Sequence, residues 1–365
     1  MVSSTSYISQ APYRFQILAP ASWLANFSLR RPGLALLLVA GLLGLAVVAC
    51  GSSGGDLILF VSEVDGDAEI YTIDPESGEV TPLTDNRSRD FGPSWSPDGN
   101  QVVFVTDEAG NLEINLVDNK GETINRLTHI SGDDHSPRWS PSGDSIAFVS
   151  SQDGNPEVYV LNPEGGRATR LTSKPVDDRL GDWSPDGVWL AFYRDGDESE
   201  RGIWLRNPEG VNLVHLTTEN DRHPVWSPDG KHVAFVRNTE GNDDIYTVSK
   251  LKDSSWQDDT ELTRLTQHPS DDLSPTWSPD SETIAFVSSR DENAEIYTMR
   301  EDGSRQLRLT TNEADDLTPV WSPDGKQIAF VSHLYGAGEI FVMESDGNAQ
   351  RRLTNNDAAD YSPDW

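Results

Sequence analysis

Seven apolar runs, each flanked by polar turns, recur along the chain: Ile58 to Ser62, Val102 to Thr106, Ile146 to Ser150, Leu190 to Arg194, Val233 to Arg237, Ile284 to Ser288 and Ile328 to Ser332. Runs this short and this continuous predict strands buried on both faces. Each is followed by a segment that alternates polar and apolar residues, as in Glu69-Ile70-Tyr71, Glu157-Val158-Tyr159 and Glu339-Ile340-Phe341. Alternation with a period of two predicts a half-exposed strand. A further segment closes each unit on Leu-Thr, at Leu83, Leu127, Leu171, Leu216, Leu265, Leu309 and Leu353. One more carries Pro-x-Trp into Ser-Pro-Asp-Gly. There the proline presets φ and the glycine accepts positive φ, so a tight hairpin turn is predicted.

The tryptophans that anchor these turns are Trp95, Trp139, Trp183, Trp226, Trp277, Trp321 and Trp365, at intervals of 44, 44, 43, 51, 44 and 44 residues. A period in the forties built from short strands is the signature of a propeller blade. The array opens on a second strand at Ile58 and ends on a first strand at Trp365. Tyr361 to Trp365 should therefore supply the innermost strand of the blade whose other three strands begin the array, leaving no free edge. The predicted fold is all-β, a seven-bladed β-propeller of four-stranded antiparallel blades closed by the C-terminal strand. The Trp-Ser-Pro-Asp-Gly and Leu-Thr repeats resemble the WD40-like propeller repeats of the TolB type. That resemblance covers Asp56 to Trp365 and implies the same fold.

Ahead of the repeats, Leu34 to Ala49 is an unbroken apolar run preceded by Arg30 and Arg31, with no acidic residue before Asp56. This is the pattern of a signal peptide and is short for a membrane span. It ends in Val47-Val48-Ala49-Cys50-Gly51, which resembles a bacterial lipoprotein lipobox. The expected organisation is a lipoprotein-type signal peptide over 1–49, a lipidated Cys50 with a Gly/Ser linker over 50–55, and the propeller over 56–365. An uncleaved N-terminal anchor is the alternative. Either arrangement exports the propeller and tethers it to a membrane, facing the periplasm or the cell exterior. Gly51 to Gly55 also spell Gly-x-Ser-x-Gly around Ser53, but the strand before and helix after that a nucleophile elbow requires are lacking.

A net charge of −32 argues against nucleic-acid binding, because such a surface repels phosphate. Each blade has an aspartate five residues before its tryptophan: Asp90, Asp134, Asp178, Asp221, Asp272, Asp316 and Asp360. In the predicted register these ring the mouth of the central channel. Either each caps backbone N–H groups of its own loop, or together they collect a cation or basic group. The following residue varies among blades: Phe91, His135, Arg179, Arg222, Leu273, Leu317 and Tyr361. That gives an aromatic and aliphatic arc opposite a basic arc, suited to a peptide or an anionic small ligand. Local packing, with the arginines neutralising the aspartates, would explain it equally.

The 51-residue interval holds an insertion, Lys250 to Thr260, whose Trp256 is either an exposed contact residue or tucked against the blade edge. Gly181 stands where other blades carry proline, and Asp195 to Arg201 form a charged loop beside it. No phosphate loop, zinc motif or catalytic triad is legible, and no cofactor or metal is expected. Calcium at acidic turns such as Asp65-Gly66-Asp67 is a minor alternative. The expected protein is thus a monomeric, non-catalytic binding scaffold that recognises a protein, peptide or cell-envelope polymer through the channel mouth. The alternative is a polysaccharide lyase or hydrolase using His135, His223 and a carboxylate.

Overall fold

The structure is a computed structural model and describes residues 57–251, 255–257 and 260–365. The leader, the linker and Cys50 lie outside the described residues. The described chain forms seven four-stranded sheets, each antiparallel, arranged as blades. We number the blades by their first tryptophan-bearing strand: blade 1 ends on Trp365, and blades 2 to 7 carry Trp95, Trp139, Trp183, Trp226, Trp277 and Trp321.

Blade 1 has the strand order predicted for ring closure. Asp360–Asp364 lies beside Ile58–Ser62, which pairs in turn with Glu69–Ile73 and Val80–Pro82. The closing register sets Leu59 opposite Asp364, Val61 opposite Tyr361 and Ser62 opposite Asp360. The Asp364 carboxylate then reaches into blade 2, where it accepts a 2.9 Å hydrogen bond from the Trp95 backbone N–H. Both chemical ends of the array are thereby tied to a neighbour.

Continuous apolar runs became the second strands because both of their faces are covered. Each carries one phenylalanine with almost no exposure: Phe60, Phe104, Phe148, Phe192, Phe235, Phe286 and Phe330. In five blades an aromatic residue of the third strand packs against it, as in Phe60 with Tyr71 at 5.6 Å between ring centres and Phe286 with Tyr297 at the same distance. The core is not one central mass. It is a ring of apolar clusters, each shared by two adjacent blades, such as Val103, Ile114 and Leu127 of blade 2 with Trp139, Phe148 and Tyr159 of blade 3. Stacking neighbours in this way buries faces that no blade could bury alone.

The innermost strands carry the features that shape the channel mouth. In most blades the third residue of this strand has positive φ, as at Ser136 (55°), His223 (53°), Ser274 (51°) and Thr318 (49°). The register shifts at the same point, so two residues face one on the second strand, which is a β-bulge. Blade 4 departs from this pattern. Leu180 stays in register opposite Phe192, and the irregularity moves one residue on, to Gly181 and Asp182. A Cβ on Gly181 would lie 2.4 Å from Pro224 Cγ, so only glycine fits against the next blade there.

Candidate functional site

The seven ring aspartates open the inner strands at Asp90, Asp134, Asp178, Asp221, Asp272, Asp316 and Asp360, and all are buried, with at most 3% exposure. The expectation that they cap backbone N–H groups is corrected by their partners. Among the described residues no backbone N–H donates to any of their carboxylates. That service falls one residue earlier in three blades, where Asp133 accepts from Leu112 N–H, Asp271 from Asp243 N–H and Asp315 from Ala294 N–H. The ring carboxylates instead face side chains, and these divide the ring in two.

In blades 4, 5 and 6 the partner is an arginine at or just beyond the end of the second strand. Arg194 holds Asp178 at 2.5 and 2.9 Å, Arg237 holds Asp221 at 2.6 and 2.7 Å, and Arg290 holds Asp272 at 2.9 and 3.1 Å. In blades 1, 2 and 7 it is an asparagine from the preceding loop: Asn356 to Asp360 at 2.8 Å, Asn86 to Asp90 at 2.7 Å and Asn312 to Asp316 at 2.6 Å. Blade 3 has neither, since Ile130 occupies the asparagine's place and Ser150 the arginine's. Burial pushes the Asp134 carboxyl up to about 6, against the pull of the Ser150 and Thr128 hydroxyls. An acid with no cation and no amide to satisfy it keeps its proton to a higher pH than an ordinary carboxyl.

A second buried acid repeats at the start of the third strand and pairs with an arginine of the fourth. Arg170 meets Glu157 at 2.8 Å, Arg308 meets Glu295 at 2.7 Å and Arg264 meets Asp244 at 2.7 Å, and Arg126 pairs likewise with Glu113 and Arg352 with Glu339. In blade 1 the arginine's place opposite Tyr71 is taken by Pro82. Burial then raises Glu69 to about 7; the Thr84 hydroxyl and the Asn86 N–H oppose the shift, and Asp90 and Asp67 add to it. Because its native value lies above the unfolded one, the folded state binds more protons between about pH 4.5 and 7, and stability falls as pH rises through that window. Asp134 acts with the same sign at lower pH. The expected result is a higher melting temperature near about pH 5 than near about pH 8, with Glu69→Gln raising it at the higher pH and leaving it little changed at the lower. Thermal melts of the two proteins across pH provide the check, and equal slopes would refute the assignment.

The variable residues follow the ring aspartates on the same strands and are half-buried. Phe91, Leu273, Leu317 and Tyr361 rest on the inter-blade apolar clusters. Opposite them, Arg179 pairs with Asp195 at 2.9 Å and Arg222 with Asp243 at 2.5 Å. The basic arc encloses a pocket of about 250 Å³ lined by His135, Arg138, Arg179, Leu180, Tyr193 and His223, among others. The displaced bulge of blade 4 places Leu180 and Gly181 in its wall. Desolvation, Arg222 and Arg179 push the His223 imidazole down to about 4. Burial and Arg179 lower His135 as well. Both rings are therefore neutral N–H donors at neutral pH.

The sequence names His223 only for the lyase alternative and does not single out Arg138, although Arg138 is legible as the one basic residue at a position held by Ser94, Asp182, Val225, Thr276, Val320 and Asp364 in the other blades. Trp256 is corrected as a contact residue. It is 6% exposed and meets Trp226 edge to face at 5.0 Å, within the cluster between blades 4 and 5. The acidic turns are engaged with protein groups: Asp65 accepts from the Tyr71 hydroxyl at 2.7 Å, and Asp195 holds Arg179.

This architecture defines a β-propeller repeat protein with a divided, half-basic and half-apolar mouth. Residues 218–365 match the TolB beta propeller domain family, PD40. The chain is a β-propeller whose C-terminal repeats are similar to those of that family. TolB from Acinetobacter baumannii is similar in fold at 20% identity, with a TM-score of 0.56 over 86% of this chain and 67% of that one. An oligogalacturonate lyase solved with manganese is similar at 20% identity, with a TM-score of 0.66 over 81% of this chain and 87% of that one. A prolyl endopeptidase is similar at 13% identity, with a TM-score of 0.63 over 85% of this chain and 51% of that one. No curated protein matches the chain. At these identities the likeness is one of fold, and the fold hosts unrelated functions.

Proposed function

We propose that this protein is a membrane-tethered binding scaffold that recognises a protein or peptide through the channel-mouth face, without catalysing a reaction. The observation that carries this is the variable position itself. Seven blades repeat the buried aspartate beside it, yet the position varies over five residue types that sort into an apolar group and a basic group, and His135 and Arg179 of the basic group line one pocket. Half-buried aromatic and aliphatic residues on a rigid ring, rimmed by charge, are the anatomy of a recognition surface. Cys50 would supply the tether as a lipidated residue, with export to the periplasm or cell exterior.

Pull-down of a solubilised cell-envelope fraction tests the surface. Arg179→Ala with Arg222→Ala is expected to cut retention by about tenfold or more, as removal of charged anchors at an interface does. Retention equal to the parent's would remove this face from consideration. For the tether, palmitate labelling should disappear in Cys50→Ser, and labelling that persists would refute it.

A second reading is favoured by one observation. The pocket brings His135 and His223 together with Arg179 and Tyr193, with the Tyr193 and His223 rings 5.4 Å apart. Such a set could serve acid–base chemistry on an anionic sugar. Release of unsaturated products from oligogalacturonate by the purified chain, lost in His135→Ala, would establish it in place of the binding scaffold.

A further inference from the structure

We propose that the pocket between blades 3, 4 and 5 is a receptor for a single carboxylate, the free C-terminus of a peptide whose remaining length is neutral or basic. This inference rests on the peptide-binding reading above. It starts from an imbalance of charge. The chain carries −32 overall, yet this pocket gathers two guanidiniums, Arg138 and Arg179, and two imidazoles, His135 and His223. Arg179 is partly neutralised by Asp195 at 2.9 Å and Asp177 at 3.9 Å, whereas Arg138 makes no ion pair within 4 Å among the described residues and acts only at longer range on the buried carboxyls of Asp182 and Asp364. The one hydrogen bond of its guanidinium among the described residues is donated to the neighbouring Pro137 carbonyl at 3.0 Å. A guanidinium has five donors, so most of Arg138's capacity is uncommitted.

The donor set selects the ligand group. Neutral imidazoles and guanidiniums offer N–H donors on several sides of one small cavity, and a guanidinium matches the two oxygens of a carboxylate in a planar fork. The wall between them is apolar, made by Leu180, Val149 and the buried ring of Tyr193. A cavity of about 250 Å³ accommodates the end of a chain rather than a strand passing through it.

The long-range field narrows the ligand further. A surface with this excess of acid repels a polyanion beyond contact distance, while a single carboxylate inside the pocket is governed by the adjacent arginines. A peptide carrying one terminal carboxylate and no further acid meets both conditions. Its apolar residues could then reach the arc of Leu273, Leu317, Tyr361 and Phe91 across the mouth. A polyuronate could meet the second condition, but as a polyanion it fails the first.

The test uses the full chain and a synthetic peptide library displayed with free C-termini, alongside the same sequences as C-terminal amides. Hits are expected among acid-poor sequences, with amidation weakening them by about tenfold or more, the usual cost of losing a charge-assisted contact. Arg179→Gln should weaken the free acid by a similar factor and the amide by less than about twofold, while Arg300→Gln on the outer surface changes neither. Melting curves of the variants exclude unfolding as the cause. Hits that bind equally as acid and amide, and equally to Arg179→Gln, would overturn the carboxylate pocket and leave the binding face standing. A library with no hits at all would overturn both.

Discussion

Deletion of Tyr361–Trp365 is expected to abolish the folded ring rather than to trim it. Those five residues provide the inner strand of blade 1, and without them the Ile58–Ser62 strand loses its partner along one whole edge. The loss extends across two interfaces, because Tyr361 packs on the cluster shared with blade 2 and on the cluster shared with blade 7, where Trp365 joins it. The 2.9 Å bond from Trp95 N–H to Asp364 would also go. Ladder bonds, two aromatic side chains and a buried cap sum to more than about 5 kcal/mol, which is comparable with the whole stability of a domain. An exposed apolar edge then favours association.

Size-exclusion chromatography of the truncated chain should show aggregate in place of monomer, and its melt should lose cooperativity. A monomer that still melts cooperatively within a few degrees of the parent would mean that the closing strand is dispensable. A graded version separates the cap from the strand. Asp364→Ala removes only the acceptor for Trp95 N–H and should cost about 1–3 kcal/mol, the penalty for one buried unsatisfied donor. Asp364→Asn keeps an acceptor oxygen and relieves a carboxyl that burial already pushes up, so it should cost less.

The closing strand was legible because each strand type repeats seven times and the array starts and stops out of phase with its blades. Strand identity followed from local pattern, and the ring followed from counting. The site was legible only in outline. The variable position after each ring aspartate can be read directly, and in the structure four of its residues rest on inter-blade apolar clusters while His135 and Arg179 line one pocket. The pocket within the basic arc could not be read, since it depends on the displaced bulge in blade 4. Leu180 in place of a left-handed residue and Gly181 in place of proline hint at that change, but its direction is set by packing against Pro224 in the next blade. Trp256 shows the same limit. Its polar surroundings in sequence suggest exposure, and its partner Trp226 lies on another strand.

The partition of the aspartate ring sits between these cases. The arginines that end second strands, Arg194 and Arg237, replace the serine or threonine of other blades, and the asparagines at 86, 312 and 356 stand two residues after a Leu-Thr pair. Both signals are in the sequence. What hides them is that arginine and asparagine are alternative answers to one requirement, a donor for a buried acid, and they arrive from different loops. Blade 4 carries this substitution furthest. Gly202 stands where other blades place the second buried acid, and a Cβ there would lie 2.0 Å from the Thr217 carbonyl oxygen. His215 stands where the arginine of the fourth strand would be. The blade therefore depends on Asp178 and Arg194 for the electrostatic order that its neighbours draw from two separate acids.

That dependence makes Arg194→Ala the most damaging single substitution expected in the described residues. The Arg194 side chain is 2% exposed and Asp178 is fully buried. The guanidinium meets both oxygens of Asp178, donates to Glu200 at 2.6 Å, and lies over the Phe192 and Trp204 rings at 5.5 and 5.0 Å. Burial raises the Asp178 carboxyl even with this arginine in place, so the pair is held by the attraction of its partners rather than by solvation. Truncation would leave a charge buried without a counter-ion, at a cost of about 3–5 kcal/mol. In a domain of this size that lowers the melting temperature by roughly 5–8 °C. The deficit should shrink as pH falls, because protonation of the orphaned acid removes the buried charge. Lys174→Asn with Arg194→Ser installs the arrangement used in blades 1, 2 and 7, an asparagine two residues after Leu-Thr and a hydroxyl at the strand end. Calorimetry should find this double variant more stable than Arg194→Ala at neutral pH. If the two melt together, the amide does not substitute for the guanidinium, and the two halves of the ring are not equivalent solutions.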